Sequence, residues 1–309
     1  MLVFVTGAAG FIGTAVVKEL LAHGHQVLGL SRSAGNSEKL KALGAEVHEG
    51  SLDDLDSLTA GAAKADGVIH LAFKHDFANF VANCELDGHV IEALAKPLIG
   101  TGKPLVVTSG SLMVRKLPGD PRPDEPAGED TVLPPVEGHP LRRISEDTAL
   151  ALASRGVRAS IVRLAPTVHG PGDRGFVPMI LAKSREKGFV PLMTDGQNVW
   201  PGVHRDDAAV LFRLALESAP SGSILHAAAE EAVPVGAVLG AIATKLGVET
   251  RQLTPEEIPE YGILALFLTA QNPMSSKKTR ELLGWEPKEV GLVEDVESDT
   301  YTADMSSSF

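Results

Sequence analysis

The feature that most constrains this chain is its start, where Leu2-Val3-Phe4-Val5-Thr6 runs directly into Gly7-Ala8-Ala9-Gly10-Phe11-Ile12-Gly13. The apolar residues Leu2 to Val5 read as a strand covered on both faces. From Thr14 to Ala22, Ala15, Val16, Leu20 and Leu21 recur at helical spacing, up to a stop at Gly24. A strand, three spaced glycines and a helix form a dinucleotide-binding turn. Glycine is required because side chains would keep the backbone from the pyrophosphate, which rests on the positive end of the helix. The spacing is Gly-x-x-Gly-x-x-Gly rather than the commoner Gly-x-Gly-x-x-Gly.

Apolar runs then alternate with helical patterns. Gln26 to Leu30, Glu46 to Glu49, Gly67 to Ala72, Leu105 to Thr108 and Ala159 to Leu164 are strand-like, and Glu38 to Leu43, Leu55 to Ala63, Phe77 to Ala95 and Ser145 to Ser154 are helical. This alternation predicts an α/β fold, a Rossmann-type doubly wound parallel sheet. After Arg163 the pattern breaks into a Gly/Pro turn at Pro166 to Gly175, a helix at Phe176 to Lys187 and a loop reaching Trp200, and Val203 to Leu216 reads as a strand and helix. The expected organisation is a dinucleotide-binding domain over residues 1–170, with 203–222 returning to it. A smaller C-terminal substrate-binding domain takes 171–202 and 223–309. Pro118 to Pro140 holds seven prolines among acidic residues and reads as a loop able to cover a substrate, and Met305 to Phe309 has a disordered composition.

A net charge of −12 argues against nucleic acid or an anionic membrane as partner. Apolar stretches such as Ile263 to Ala270 fall far short of the ~20 residues of a membrane span. Cys84 is the only cysteine, so no internal disulfide can form. The first strand starts at Leu2, leaving no room for a cleaved leader, and a cytoplasmic location is expected. The histidines show none of the spacings that zinc uses, so no metal is expected.

Thr6 to Gly13, Val68-Ile69-His70-Leu71-Ala72 and Arg163-Leu164-Ala165-Pro166-Thr167-Val168-His169-Gly170 together resemble the extended short-chain dehydrogenase/reductase superfamily. Val203 to Ala208 and Thr279 to Trp285 are similar to its later motifs. The resemblance implies NAD or NADP bound in extended form, with substrate between the two domains. It assigns Gly7, Gly10, Phe11, Ile12 and Gly13 to the phosphates, Ser51 and Leu52 to adenine, Leu71 and Ala72 to the adenosine ribose and phosphates, and Pro166, Thr167 and Val168 to the nicotinamide. At the end of the second strand stand Ser31, Arg32 and Ser33, where a carboxylate would select NAD; a guanidinium and two hydroxyls favour NADP.

The chemistry departs from the family. Its usual proton donor is a Tyr followed four residues later by a Lys, but the only tyrosines, Tyr261 and Tyr301, do not precede a Lys in that way. Arg142 falls at the Tyr position and Glu146 at the Lys position; Gly110 falls at the Ser position, so Ser109 or Ser111 would have to reach across. The pattern is similar to an atypical subgroup of the family. Arg142 is the candidate cation for a developing alkoxide, and His139, His75 or a water would have to supply the proton. Asp76 and Asp206 read as helix caps, and Trp200 and Phe176 as a pocket wall or as core.

Three functions follow: an NADPH-dependent oxidoreductase acting on a small-molecule carbonyl, a non-catalytic NADP-binding sensor or scaffold, and a sugar-nucleotide epimerase or dehydratase. The resemblance also implies a homodimer through Phe77 to Ala95 and Ser145 to Ser154.

Overall fold

A computed structural model describes residues 1–116, 125–131, 142–302 and 305. The elements in chain order are β1 (Leu2–Thr6), α1 (Phe11–Ala22), β2 (Gln26–Ser31), α2 (Ala34–Ala42), β3 (Glu46–Glu49), α3 (Leu55–Lys64), β4 (Gly67–His70), α4 (Phe80–Ala95), β5 (Pro104–Gly110) and α5 (Arg143–Ala153). There follow β6 (Arg158–Leu164), β7 (Thr167–His169), α6 (Phe176–Lys187), β8 (Val190–Leu192), β9 (Val199–His204), α7 (Arg205–Ser218), β10 (Ser223–Ala227), β11 (Glu230–Pro234), α8 (Val235–Leu246), β12 (Thr250–Gln252), α9 (Ile263–Leu268), α10 (Lys277–Leu283) and α11 (Leu292–Glu297).

Seven strands form one sheet in the order β10-β6-β5-β4-β1-β2-β3, and every pairing in it is parallel. This is the Rossmann-type sheet that the alternating pattern predicts. Successive side chains of a strand point to opposite faces, so Val3 and Val5 enter the core beneath α1 and α7 while Phe4 enters the core beneath α3, α4 and α5. The strand order reverses between β1 and β4, so the glycine turn after β1 opens into the crevice where such sheets bind ligands.

A second body lies beyond the carboxyl ends of these strands. It contains a three-stranded sheet (β11-β9-β7), a two-stranded one (β12-β8) and a core built on Ile180, Trp200, Val238, Ile242, Phe267 and Tyr301. Trp200 is fully covered and its indole N–H donates to the Phe267 carbonyl, 2.8 Å away; Phe176 packs on the Phe267 ring. Trp200 thus belongs to the core, and Phe176 packs against it half-buried.

The domain boundary expected at residue 222 needs correction. β10 is the edge strand of the large sheet, because Ser223 to Ala227 pair residue for residue with Ser160 to Leu164. Trp285 then returns to the same body, its indole N–H on the Asp207 carbonyl. Most of the proline-rich segment lies outside the described residues, as do residues 306–309. Its described part, residues 125–131, is stitched to the C-terminal region: Ala127 bridges Pro273 and Ser275, and buried Glu129 accepts from the Thr279 N–H and hydroxyl, both at 2.6 Å.

Candidate active site

The glycine turn is held by backbone contacts that admit no larger residue. Gly7 has φ +69°, and a Cβ there would stand 2.9 Å from the Ala72 nitrogen; a Cβ on Gly13 would stand 2.0 Å from the Gly7 carbonyl oxygen. The Gly10 N–H closes the turn on that same oxygen at 2.9 Å. No side chain caps α1 and its first turn carries no acidic residue, so the positive end of the helix is left for an external anion. A dinucleotide fits this cradle.

Beneath the turn runs a buried polar chain. The Ala72 N–H donates to Thr6 Oγ1 at 3.3 Å, and the Thr6 hydroxyl meets His70 Nδ1 at 2.6 Å. The Asp87 carboxylate can only accept, so His70 Nε2 carries a proton and donates to Asp87 Oδ1 at 3.0 Å. Asp87 Oδ2 accepts from Ser145 at 2.5 Å and lies 3.4 Å from Arg142 Nη2. Burial alone would raise the pKa of Asp87, but Arg142, His70 and Ser145 hold it below the usual carboxylate value.

Arg142 stands just before α5, 14% exposed, donating to the Thr108 carbonyl, with its guanidinium carbon 3.9 Å from the centre of the Phe73 ring. The cation at the vacated Tyr position is therefore fixed on three sides. His75 meets the same ring edge-on, with ring centres 5.2 Å apart; desolvation and then Arg142 lower its pKa, so it is neutral near pH 7. Asp76 caps the short turn at residues 77–79 by accepting from the Ala78 N–H, as the sequence predicts.

Glu146, at the Lys position, is buried and forked onto Arg163: Nε to Oε1 at 2.9 Å and Nη2 to Oε2 at 2.8 Å. Ser109 donates to the same Oε1 at 2.6 Å. This corrects the expectation for Ser109, whose hydroxyl proton is committed to a buried carboxylate instead of facing a carbonyl. Ser111 accepts from Asn272 Nδ2 at 2.7 Å, an arrangement that occupies a lone pair and not its proton. His139 lies outside the described residues.

On the adenosine side, Ser31 Oγ donates to the Ser33 carbonyl at 3.0 Å and accepts from Ser37 at 2.9 Å, while Ser33 caps α2. Both serines shape the loop. Arg32 between them is exposed and has no carboxylate partner among the described residues. Ser51 accepts from the Asp53 N–H at 3.3 Å in a turn that leaves its hydroxyl proton uncommitted, with Leu52 beside it. Leu71 continues from β4, its N–H on the Thr6 carbonyl. Pro166, Thr167 and Val168 lead into β7; Thr167 is buried with its hydroxyl on the Pro201 carbonyl at 2.9 Å, while Pro166 and Val168 are half-buried. Sequence reasoning missed Lys39, whose ammonium sits 2.8 Å from the Ala9 carbonyl; the available signal was a cation on the helix that follows Arg32. It also misplaced the cap of α7. His204, not Asp206, takes the first free N–H, at 3.2 Å, because Asp206 is turned to Arg205. Cys84 is buried, and desolvation pushes its thiol up to about 11, which removes it as a nucleophile.

The parallel sheet, the reversal in strand order and the uncapped glycine-turn helix define a Rossmann-type nucleotide-binding protein. The model of the NAD dependent epimerase/dehydratase family matches residues 3–228. The chain belongs to that family. It is 46% identical over 303 residues to an uncharacterized protein of Schizosaccharomyces pombe, covering 97% of this chain and 100% of that one. It is 30% identical over 233 residues to the 2-alkyl-3-oxoalkanoate reductase of Stenotrophomonas maltophilia, covering 72% and 67%. The dTDP-glucose 4,6-dehydratase of Streptomyces venezuelae, solved with NAD bound, superposes with a TM-score of 0.74 over 96% of each chain at 21% identity, a likeness of fold.

Proposed function

We propose that this protein is an NADPH-dependent oxidoreductase that reduces a ketone or aldehyde of a small organic metabolite in the cytoplasm. The observation that carries the cofactor choice is Arg32, an exposed guanidinium at the end of β2 where no carboxylate opposes a 2′-phosphate. The uncapped end of α1 would take the diphosphate, and the backbone at Leu71, Ala72 and Pro166 to Val168 would line the remainder. When bound, the nicotinamide supplies hydride. Arg142, fixed by Asp87, the Thr108 carbonyl and the Phe73 ring, offers charge to an oxygen that becomes negative, and Ser111 retains a proton to donate. A guanidinium does not release its own proton, and His75 is neutral near pH 7, so a water delivers the proton, directly or through the Ser111 hydroxyl.

A reductase among the relatives supports this reading. A second reading, a dinucleotide-binding sensor without turnover, is favoured by the closed Glu146–Arg163–Ser109 group, which leaves nothing in the place of the family's lysine. Sugar-nucleotide epimerisation or dehydration, which the family name covers, ranks third because it ordinarily uses the missing tyrosine. NADPH consumption over a panel of ketones and aldehydes separates them. Multiple turnovers lost in Arg142→Met support reduction. A protein that binds NADPH and oxidises it with no member of the panel is a sensor.

A further inference from the structure

Lys39 feels three other cations, Arg174, Arg205 and Lys18 in the middle of α1, on a chain whose net charge is −12. Lys39 reaches the Ala9 carbonyl from α2. Arg205, the first residue of α7, lies over the Phe11 ring with its guanidinium carbon 5.5 Å from the centroid, donates to the Pro171 carbonyl and pairs with Asp206 at 3.0 Å. It thereby rests the loop after β7 against the first residue of α1. Arg174, three residues beyond Pro171 on that loop, is exposed and has no carboxylate partner among the described residues. Burial, then Arg174, Arg205 and Lys18, lower the pKa of Lys39, a like-charge repulsion that an anion would relieve.

The loop is held from behind by the C-terminal segment. Asp173 is buried; its Oδ1 accepts from the Gly175 N–H and its Oδ2 from the Tyr301 hydroxyl, each at 2.6 Å. The Gly170 N–H reaches the Tyr301 oxygen at 3.4 Å, and the Tyr301 ring is fully covered in the second core. Both ends of the short loop therefore answer to one phenol, contributed from 126 residues beyond Gly175 in sequence. Arg174 is the exposed cation of this loop, which Arg205 holds beside the first residue of α1: a Cβ on Gly172 would stand 3.9 Å from Arg205 Nη1.

We propose that Arg174 is a ligand for the diphosphate of a bound dinucleotide, closing on it from the second body, and that Tyr301 is the positioning residue that holds it there through Asp173. The inference rests on the reading of the glycine turn as a dinucleotide cradle. The end of α1 meets the anion from the sheet side, and Arg174 meets it from the opposite layer, so the ligand joins the two bodies.

Dissociation constants for NADPH and NADH, measured by titration calorimetry at several salt concentrations, test it. Arg174→Gln, an exposed change that leaves the core intact, is expected to weaken both dinucleotides equally, by about tenfold, and to flatten the salt dependence. Tyr301→Phe is expected to raise both constants about threefold in the wild-type background and to add nothing in the Arg174→Gln background; Asp173→Asn serves as a second variant of the latch. Unchanged binding in Arg174→Gln overturns the assignment, and so does a loss confined to NADPH, which would place Arg174 at the 2′-phosphate instead. An equal effect of Tyr301→Phe in both backgrounds overturns the positioning role. Wild-type protein that binds neither dinucleotide defeats the cradle itself; wild-type binding that Arg174→Gln preserves defeats this inference alone.

Discussion

Glu146 decides how far this site stands from its family. A lysine there would hold a ribose, whereas the carboxylate is locked in a two-pronged pair with Arg163, whose remaining Nη1 reaches the Thr131 carbonyl and His226. Breaking a buried pair from one side leaves an uncompensated charge. Glu146→Lys, which restores the family residue in name, is therefore expected to destabilise the protein by about 3–5 kcal/mol in urea unfolding; an unchanged midpoint would contradict the pairing. Two other buried groups set opposing pH limbs. Desolvation raises Asp173 from 3.8 to about 6, so the native state pays nothing for it below pH 3.8 and carries the full cost, roughly 3 kcal/mol, above pH 6. Desolvation and then Arg163 lower His226 from 6.5 to about 4; its contribution is complete above pH 6.5 and is lost as the pH falls through 4. Asp173→Asn should remove the stability loss between pH 4 and 6 and leave the acid limb in place. A mutant whose unfolding free energy keeps the wild-type slope over that window would refute the assignment.

At the scale of elements, the first half of the fold is legible because its strands, the edge strand β3 apart, are buried on both faces and each helix ends at a Gly, a Pro or a polar break. The Gly7 to Gly13 turn is legible for a harder reason, since the contacts at Gly7 and Gly13 leave no room for a Cβ. The short strands β7, β8, β11 and β12 are not legible, being of three to five residues and paired with partners remote in sequence. Nor is the cap of α7, where an Asp in the right register loses its role to a histidine because a neighbouring arginine takes the carboxylate. In the candidate site the substitution of Tyr and Lys is visible in the sequence. What neutralises Glu146, and what holds Arg142, is not, because Arg163 and Asp87 lie 17 and 55 residues away and only the fold brings them in. Helices α4 and α5 pack on each other with Gly88 against Ile144, and Val81 on α4 is 49% exposed. We propose that this pair forms a homodimer face; light scattering should give twice the 32.4 kDa chain mass, and a monomer mass would remove the proposal.

At the scale of the whole molecule, two bodies face each other across the carboxyl ends of one parallel sheet, and the chain passes between them repeatedly. β10 and Trp285 each tie a late segment to the first body, Glu129 ties the proline-rich segment to α10, and Tyr301 ties the C-terminal region to the loop beside α1. The crevice is thus walled by both, with Arg32 and Lys39 on the side of α2 and Arg142 at the start of α5. No helix among the described residues is long and apolar enough to cross a membrane. Everything proposed for the reaction depends on which dinucleotide this crevice selects. The most direct measurement is the ratio of dissociation constants for NADH and NADPH in the wild type and in Arg32→Ala. The wild type is expected to prefer NADPH by about tenfold or more, the worth of a charge-assisted contact to the 2′-phosphate, and Arg32→Ala to lose that preference by weakening NADPH alone. A wild type that prefers NADH, or an Arg32→Ala protein that keeps the NADPH preference, would contradict the account.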